Sequence, residues 1–157
     1  MFKDGAIEGV QVKPLSKFSD GRGWLMEVFR HDELDGEYLP AMTYISITRP
    51  GVARGPHEHI DQADYFCFAG PSRFKVYLWD NRPESPTYRH RMALVAGEGA
   101  PIAVIVPKRV VHAYKNVGES DGLVINCPNR LFKGNGKKDP VDEVRYEDVA
   151  DSPYELD

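Results

Sequence analysis

Short segments rich in β-branched and aromatic residues recur along the chain: VQVKPL, WLMEVFR, MTYISITR, DYFCF, RFKVYLW, YRHRMALV, IAVIV, VHAYKNV and GLVINC. The breaks between them hold turn formers, among them SDGRG, RPGVARG, AGPS, DNRPESP, AGEGAP and VGESDG. Many short strands punctuated this way predict an all-β sandwich or barrel, and no segment predicts a helix of three turns. In RFKVYLW, Phe74, Val76 and Leu78 alternate with Arg73, Lys75 and Tyr77. One face of that strand therefore suits a core, and the other suits water or ligand. The polar stretch Lys133 to Pro140, KGNGKKDP, reads as a mobile loop. The acidic tail from Glu147 to Asp157 either lies disordered or folds back over a site.

A chain of 157 residues has the size of one domain, so residues 1–157 are read as a single unit. With 20 basic and 24 acidic residues the net charge is −4. No overall positive field exists to gather nucleic acid or an anionic membrane, and an anionic ligand would need a local basic pocket. The amino-terminal MFKDGAIEGV lacks a signal-peptide apolar stretch, and the aliphatic run Ile102 to Val106 is too short to span a bilayer. A cytoplasmic location is the default expectation. Cys67 and Cys127 lie in apolar segments and are read as small core residues rather than a disulfide.

The densest chemical signal is Gly51 to Gly70, GVARGPHEHIDQADYFCFAG, with the spacing G-x5-H-x-H-x4-D-x5-G. His57 and His59 are two apart and share one face of a strand, and Asp64 opens the next strand. A second segment, VPKRVVHAYKN, carries His112 with Asn116 four residues on. Together these resemble the two motifs of the cupin superfamily, a double-stranded β-helix or jelly-roll barrel. The pattern departs at Arg109, where glycine is usual, and at Asp64, where glutamate is usual. His57, His59, Asp64 and His112 could hold Fe, Mn, Zn or Ni, since imidazole and carboxylate suit such ions. Alternatively, His59 and His112 are satisfied by neighbours and bind nothing.

A narrower resemblance covers almost the whole chain. SDGRGWLMEVFR, GVARGPH, DNRPESPTY, VPKRVVHAY and VRYEDVADSPY occur in the order found in the dTDP-4-dehydrorhamnose 3,5-epimerase family. That resemblance implies a cupin barrel that dimerises by exchanging amino-terminal strands. It implies epimerisation of a nucleotide-linked 4-keto-6-deoxy-hexose, with no metal or other cofactor. His57 would be the base that removes the proton next to the keto group, and Asp148 the carboxylate orienting it. Arg54 would grip the pyrophosphate, while Arg22 and Glu27 would reach the nucleotide of a neighbouring subunit. His59, His112 and Tyr114 complete the expected substrate-contacting set. The chemistry is coherent: a base held over an acidified C–H works when charge on the oxygen is stabilised.

Two departures touch the reaction. The family's proton-returning tyrosine should follow GLVINC, but PNRLFKGNGKKDP has Leu131 or Phe132 near that place. Water, Tyr44 or Tyr114 could take its part. The family's lysine beside the keto oxygen is also missing, and Asp64 stands near its position. Three readings follow: an epimerase or isomerase using His57 and Asp148, a metal-dependent cupin acting on a small molecule, and a non-catalytic sugar-nucleotide binder. The first two compete for His57, because a metal-bound nitrogen cannot accept a proton.

Overall fold

The computed structural model describes residues 1–157. Thirteen strands follow in order: β1 Lys3–Asp4, β2 Gln11–Pro14, β3 Lys17–Asp20, β4 Gly23–Met26, β5 Tyr44–Thr48, β6 Ala53–Glu58 and β7 Asp64–Phe68. They continue with β8 Arg73–Asp80, β9 His90–Gly97, β10 Ile102–Val106, β11 Val110–Asn116, β12 Gly122–Asn126 and β13 Val144–Arg145. Helical structure is confined to three single turns of 3-10 helix. Six strands form one sheet in the order β1-β9-β8-β11-β6-β13, and five form a second in the order β2-β10-β7-β12-β5. The two enclose one core, in which Phe66, Phe68, Val104 and Val124 of the second sheet meet Phe74, Val76, Leu78 and Val110 of the first. This is the predicted all-β jelly-roll barrel.

Period-two alternation sorts the side chains of β8. Phe74, Val76 and Leu78 enter the core as the pattern predicts. Tyr77, assigned to the wet face, is instead fully buried together with Trp79. The cause is the acidic tail, which is ordered and lies on the outer side of the six-stranded sheet. There Tyr154 packs 5.6 Å from Trp79, and Tyr77 donates a 2.8 Å hydrogen bond to the Asp157 carbonyl. The tail therefore covers the back of this sheet and not the histidines. Cys67 and Cys127 are free and buried on the outer side of the other sheet, beside Leu15, Tyr65 and Ile105. Burial pushes the Cys67 thiol up, away from reactivity.

One other expectation changes. Only the first part of WLMEVFR is a strand: β4 pairs with β3 in a hairpin that joins neither sheet and exposes Phe18, Trp24 and Leu25. In the single chain β1 and β2 pair with that chain's own β9 and β10. The stretch from Lys133 closes on itself through an Asp139 N–H to Lys133 carbonyl bond of 2.8 Å.

The phrase DNRPESPT forms a knot around Asp80, whose side chain is fully buried. The Asp80 carboxylate accepts from the Arg82 backbone and guanidinium, from Ser85 Oγ and from Thr87 Oγ1. Burial opposes its charge, yet these donors outweigh the penalty and hold its pKa at about 2. The phrase thus fixes the β8–β9 connection.

Candidate active site

His57 and His112 are register partners on β6 and β11, so their side chains project to the same, interior face. Their ring centroids lie 4.4 Å apart at 81°. The ladder slips between this pair and the next, Arg54 with Tyr114. Three residues on β6 span what two span on β11, which makes a bulge that turns both Arg54 and His57 inward. Gly55 permits it: its φ is +81°, and a Cβ there would stand 2.6 Å from the His112 carbonyl oxygen.

Asp64 sits at the start of β7 with its side chain 1% exposed. Its Oδ1 accepts from Asn126 Nδ2 at 2.8 Å and from Gln62 Nε2 at 2.9 Å. Its Oδ2 faces His59 Nε2 at 3.2 Å and His112 Nε2 at 3.3 Å. Burial alone would raise the carboxyl pKa, but the contacts with His112 and His59 hold it well below the usual range.

His59 is charged. Its Nδ1 donates to the Asp142 carbonyl, which only accepts, while its Nε2 faces the carboxylate. Burial opposes that charge and Asp64 more than offsets it, so the pKa rises to about 9. Asp142 also anchors the approach to the site, because its carboxylate accepts the backbone N–H groups of Ile60, Asp61 and Gln62 at 2.8–2.9 Å.

His57 is the opposite case. Neither ring nitrogen has a hydrogen-bond partner in the chain, and burial, reinforced by repulsion from His112 and His59, lowers its pKa to about 2. It is a neutral imidazole with a free lone pair beside an imidazolium–carboxylate pair. The site thus contains the ingredients of proton abstraction: a neutral base, a fixed positive charge and a buried anion already compensated.

Arg54 reaches from β6 to β5, donating to Thr48 Oγ1 at 3.0 Å and to the Ile47 carbonyl at 2.9 Å. Tyr114 stands below the histidines, its hydroxyl 3.1 Å from Ser46 Oγ. Tyr44, beside Asn126 in the β5–β12 ladder, accepts a 2.9 Å hydrogen bond from Asn126 Nδ2.

The predicted residues therefore divide. His57, His59, Asp64, His112, Arg54 and Tyr114 converge on one interior face. Asp148 does not join them: it is exposed after β13 and makes no hydrogen bond to His57. The carboxylate among the histidines is Asp64, which contacts His59 and His112 rather than His57. Arg22 lies at the tip of the free hairpin, 89% exposed and paired with Asp20 at 2.5 Å. Glu27 follows that hairpin, 3.5 Å from Arg30. Asn126 and Asp142 belong to the site but escape sequence reading, since no local motif surrounds them; Tyr44, one of the tyrosines the sequence offered for the missing acid, stands beside Asn126. A cleft of about 670 Å³ lined by Phe2, Trp79, Tyr88, Arg91 and Tyr154 lies elsewhere and holds none of the predicted site residues.

The three histidines could also receive an ion, because their donor atoms lie within 4.8 Å of one another. Asp64 Oδ2 and His112 Nε2 are buried without an aligned hydrogen-bond partner.

The sequence profile of the family described as dTDP-4-dehydrorhamnose 3,5-epimerase matches residues 4–139. The chain is 38% identical over 128 residues to a Haloferax volcanii protein named probable low-salt glycan biosynthesis epimerase Agl13, covering 80% of this chain and 81% of that one. It is 35% identical over 119 residues to the Bacillus subtilis spore coat polysaccharide biosynthesis protein SpsL, covering 76% and 78%. The fold matches a crystal structure of a dTDP sugar isomerase from Desulfovibrio desulfuricans G20 with a TM-score of 0.80 and 21% identity, covering 94% of this chain and 88% of that one.

Proposed function

The chain belongs to the dTDP-4-dehydrorhamnose 3,5-epimerase family, and on that premise we propose that it inverts a carbon next to the keto group of a nucleotide-linked 4-keto-6-deoxy-hexose. The observation that carries the reading is the neutral, unpartnered His57 beside the His59–Asp64 ion pair. His57 removes the proton from C3 or C5, and the electrons move onto the keto oxygen. Positive charge on His59 offsets the enolate, doing part of what a lysine would do, while Asp64 is already neutralised by its contacts. A base works best with a pKa near the working pH. The diphosphate brings negative charge into the site and raises the His57 value from its low resting position. Arg54, anchored on β5, keeps guanidinium donors for that diphosphate. The same reading makes the protein a cytoplasmic homodimer without metal. Its free hairpin, with Phe18, Trp24 and Leu25 exposed, packs on a second copy and brings Arg22 and Glu27 to that copy's nucleotide.

The test is solvent deuterium incorporation at C3 and C5 of a panel of 4-keto-6-deoxy nucleotide sugars, followed by NMR. Wild type is expected to exchange and His57→Ala to lose exchange; exchange surviving in the variant removes His57 as the base. Tight binding of the panel with neither exchange nor turnover would identify a non-catalytic binder.

A second reading, a metal-dependent cupin, is favoured by the unaligned Asp64 Oδ2 and His112 Nε2. Donors around one ion at metal–ligand lengths of about 2.1 Å sit about 3.0–3.4 Å apart, and Asp64 Oδ2 has such separations from His59 and His112. His57, His59, His112 and Asp64 would hold the ion, which would polarise a substrate oxygen. Elemental analysis of protein purified without added metal separates the readings, and less than about a tenth of an equivalent sinks this one.

A further inference from the structure

Inverting a carbon requires a proton to arrive on the face opposite the one it left, so the cavity needs an acid on the wall facing His57. We infer that Tyr44 is that acid, a statement that rests on the epimerase reading above. His57 stands on β6 of the six-stranded sheet and Tyr44 on β5 of the five-stranded sheet, so the two look into the shared interior from opposite walls. Alternation along β5 fixes the direction. Ile45 and Ile47 point outward, 64% and 50% exposed, whereas Ser46 contacts Tyr114 and Thr48 contacts Arg54 inside the barrel. Tyr44 shares the face of Ser46 and Thr48.

Hydrogen bonding leaves its proton available. Asn126 Nδ2 can only donate, and its two hydrogens go to Tyr44 Oη and Asp64 Oδ1. The Tyr44 hydroxyl is therefore an acceptor in its one protein bond, with its own hydrogen free for a ligand. Burial pushes its pKa up to about 12, so it is protonated at neutral pH. After donation, the Asn126 amide remains aimed at the phenolate oxygen.

The other tyrosines are engaged or misplaced. Tyr114 is 5% exposed and packed edge-on to Phe66, Phe68 and Phe74, with its hydroxyl on Ser46. Tyr65 donates to Val28 on the outer side of its sheet, and Tyr77 lies under the tail. Tyr44 combines an interior-facing hydroxyl with 44% exposure at the mouth. In the step itself, the Tyr44 O–H bond breaks as a C–H bond forms at the enolate carbon. Solvent then reprotonates the phenolate, and the His57 imidazolium returns its proton to solvent.

The experiment compares wild type and Tyr44→Phe on the same panel of 4-keto-6-deoxy nucleotide sugars, dTDP-4-keto-6-deoxyglucose among them, in D2O, reading exchange and inversion separately by NMR. Tyr44→Phe is expected to keep exchange with retained configuration within about threefold and to lose net inversion by about 100-fold, the low end for a general acid. Inversion by Tyr44→Phe at the wild-type rate overturns the assignment, and so does parallel loss of exchange and inversion in a folded variant. If Tyr44→Phe does not fold, 3-fluorotyrosine placed at 44 keeps the shape and lowers the phenol pKa. It should move the basic limb of the inversion profile to lower pH, and an unmoved limb overturns the assignment. Wild type that neither exchanges nor inverts any sugar of the panel overturns the epimerase reading, and Tyr44 as its acid falls with it; the other failures leave that reading standing.

Discussion

His59 Nε2 lies 3.2 Å from Asp64 Oδ2, while the other nitrogen of the same ring donates to the Asp142 carbonyl. The pair joins the residue after β6 to the first residue of β7 and the chain beyond β12, and it makes a buried anion part of a compensated dipole. A carboxylate that would oppose an enolate if left alone instead fixes a cation beside it.

Removing the anion leaves a buried imidazolium unpaired. Asp64→Asn should lower stability by about 3 kcal/mol, as expected for breaking a buried ion pair from one side, and should reduce His57-dependent exchange along with it. Asp148→Asn should stay within about 0.5 kcal/mol of wild type, as for an exposed side chain, and exchange deuterium at an unchanged rate. Urea denaturation and the NMR exchange assay check both; a large activity loss in Asp148→Asn would restore Asp148 to the site.

Gly55 has no room for a side chain. Gly55→Ala places a methyl 2.6 Å from the His112 carbonyl in a left-handed backbone, with an expected loss of about 2–4 kcal/mol. The urea midpoint should fall, and exchange activity should fall even in the folded fraction because the His57–His112 pairing shifts. An unchanged midpoint would show that the bulge is not held by this glycine.

Arg109 carries the reverse strain. It has φ of +61° in the turn closed by the Val110 N–H to Pro107 carbonyl bond. Arg109→Gly should therefore gain up to about 1 kcal/mol, raising the melting temperature by about 2–4 °C. A lower melting temperature would mean that the arginine side chain contributes more than its backbone costs.

Asp80 links stability to acid. Its folded pKa is about 2 against an ordinary 3.8, so its contribution is complete above the ordinary value and is lost as pH falls toward 2. The stability gap between wild type and Asp80→Asn should be widest near neutrality and shrink between about pH 4 and pH 2. Chemical denaturation at several pH values checks this, and a gap constant down to pH 2 would contradict it.

Period-two alternation and turn formers determined the barrel, because each strand must bury one face and the turns need particular backbones. DYFCF and IAVIV coincide with β7 and β10 residue for residue. Likewise the H-x-H spacing, Asp64 and His112 were legible as one cluster, since strand geometry puts alternate residues on one face. Tertiary structure decided the rest. Tyr77 is buried because a tail 80 residues away lies over it, and WLMEVFR yields its second half because only a short hairpin pairs there. The partner of the histidines became Asp64 rather than Asp148, and Asn126 and Asp142 entered the site. Contacts such as Asn126 with Asp64 and His59 with Asp142 span 62 and 83 positions. No local pattern encodes such pairings; they exist only once two sheets have closed around a common interior.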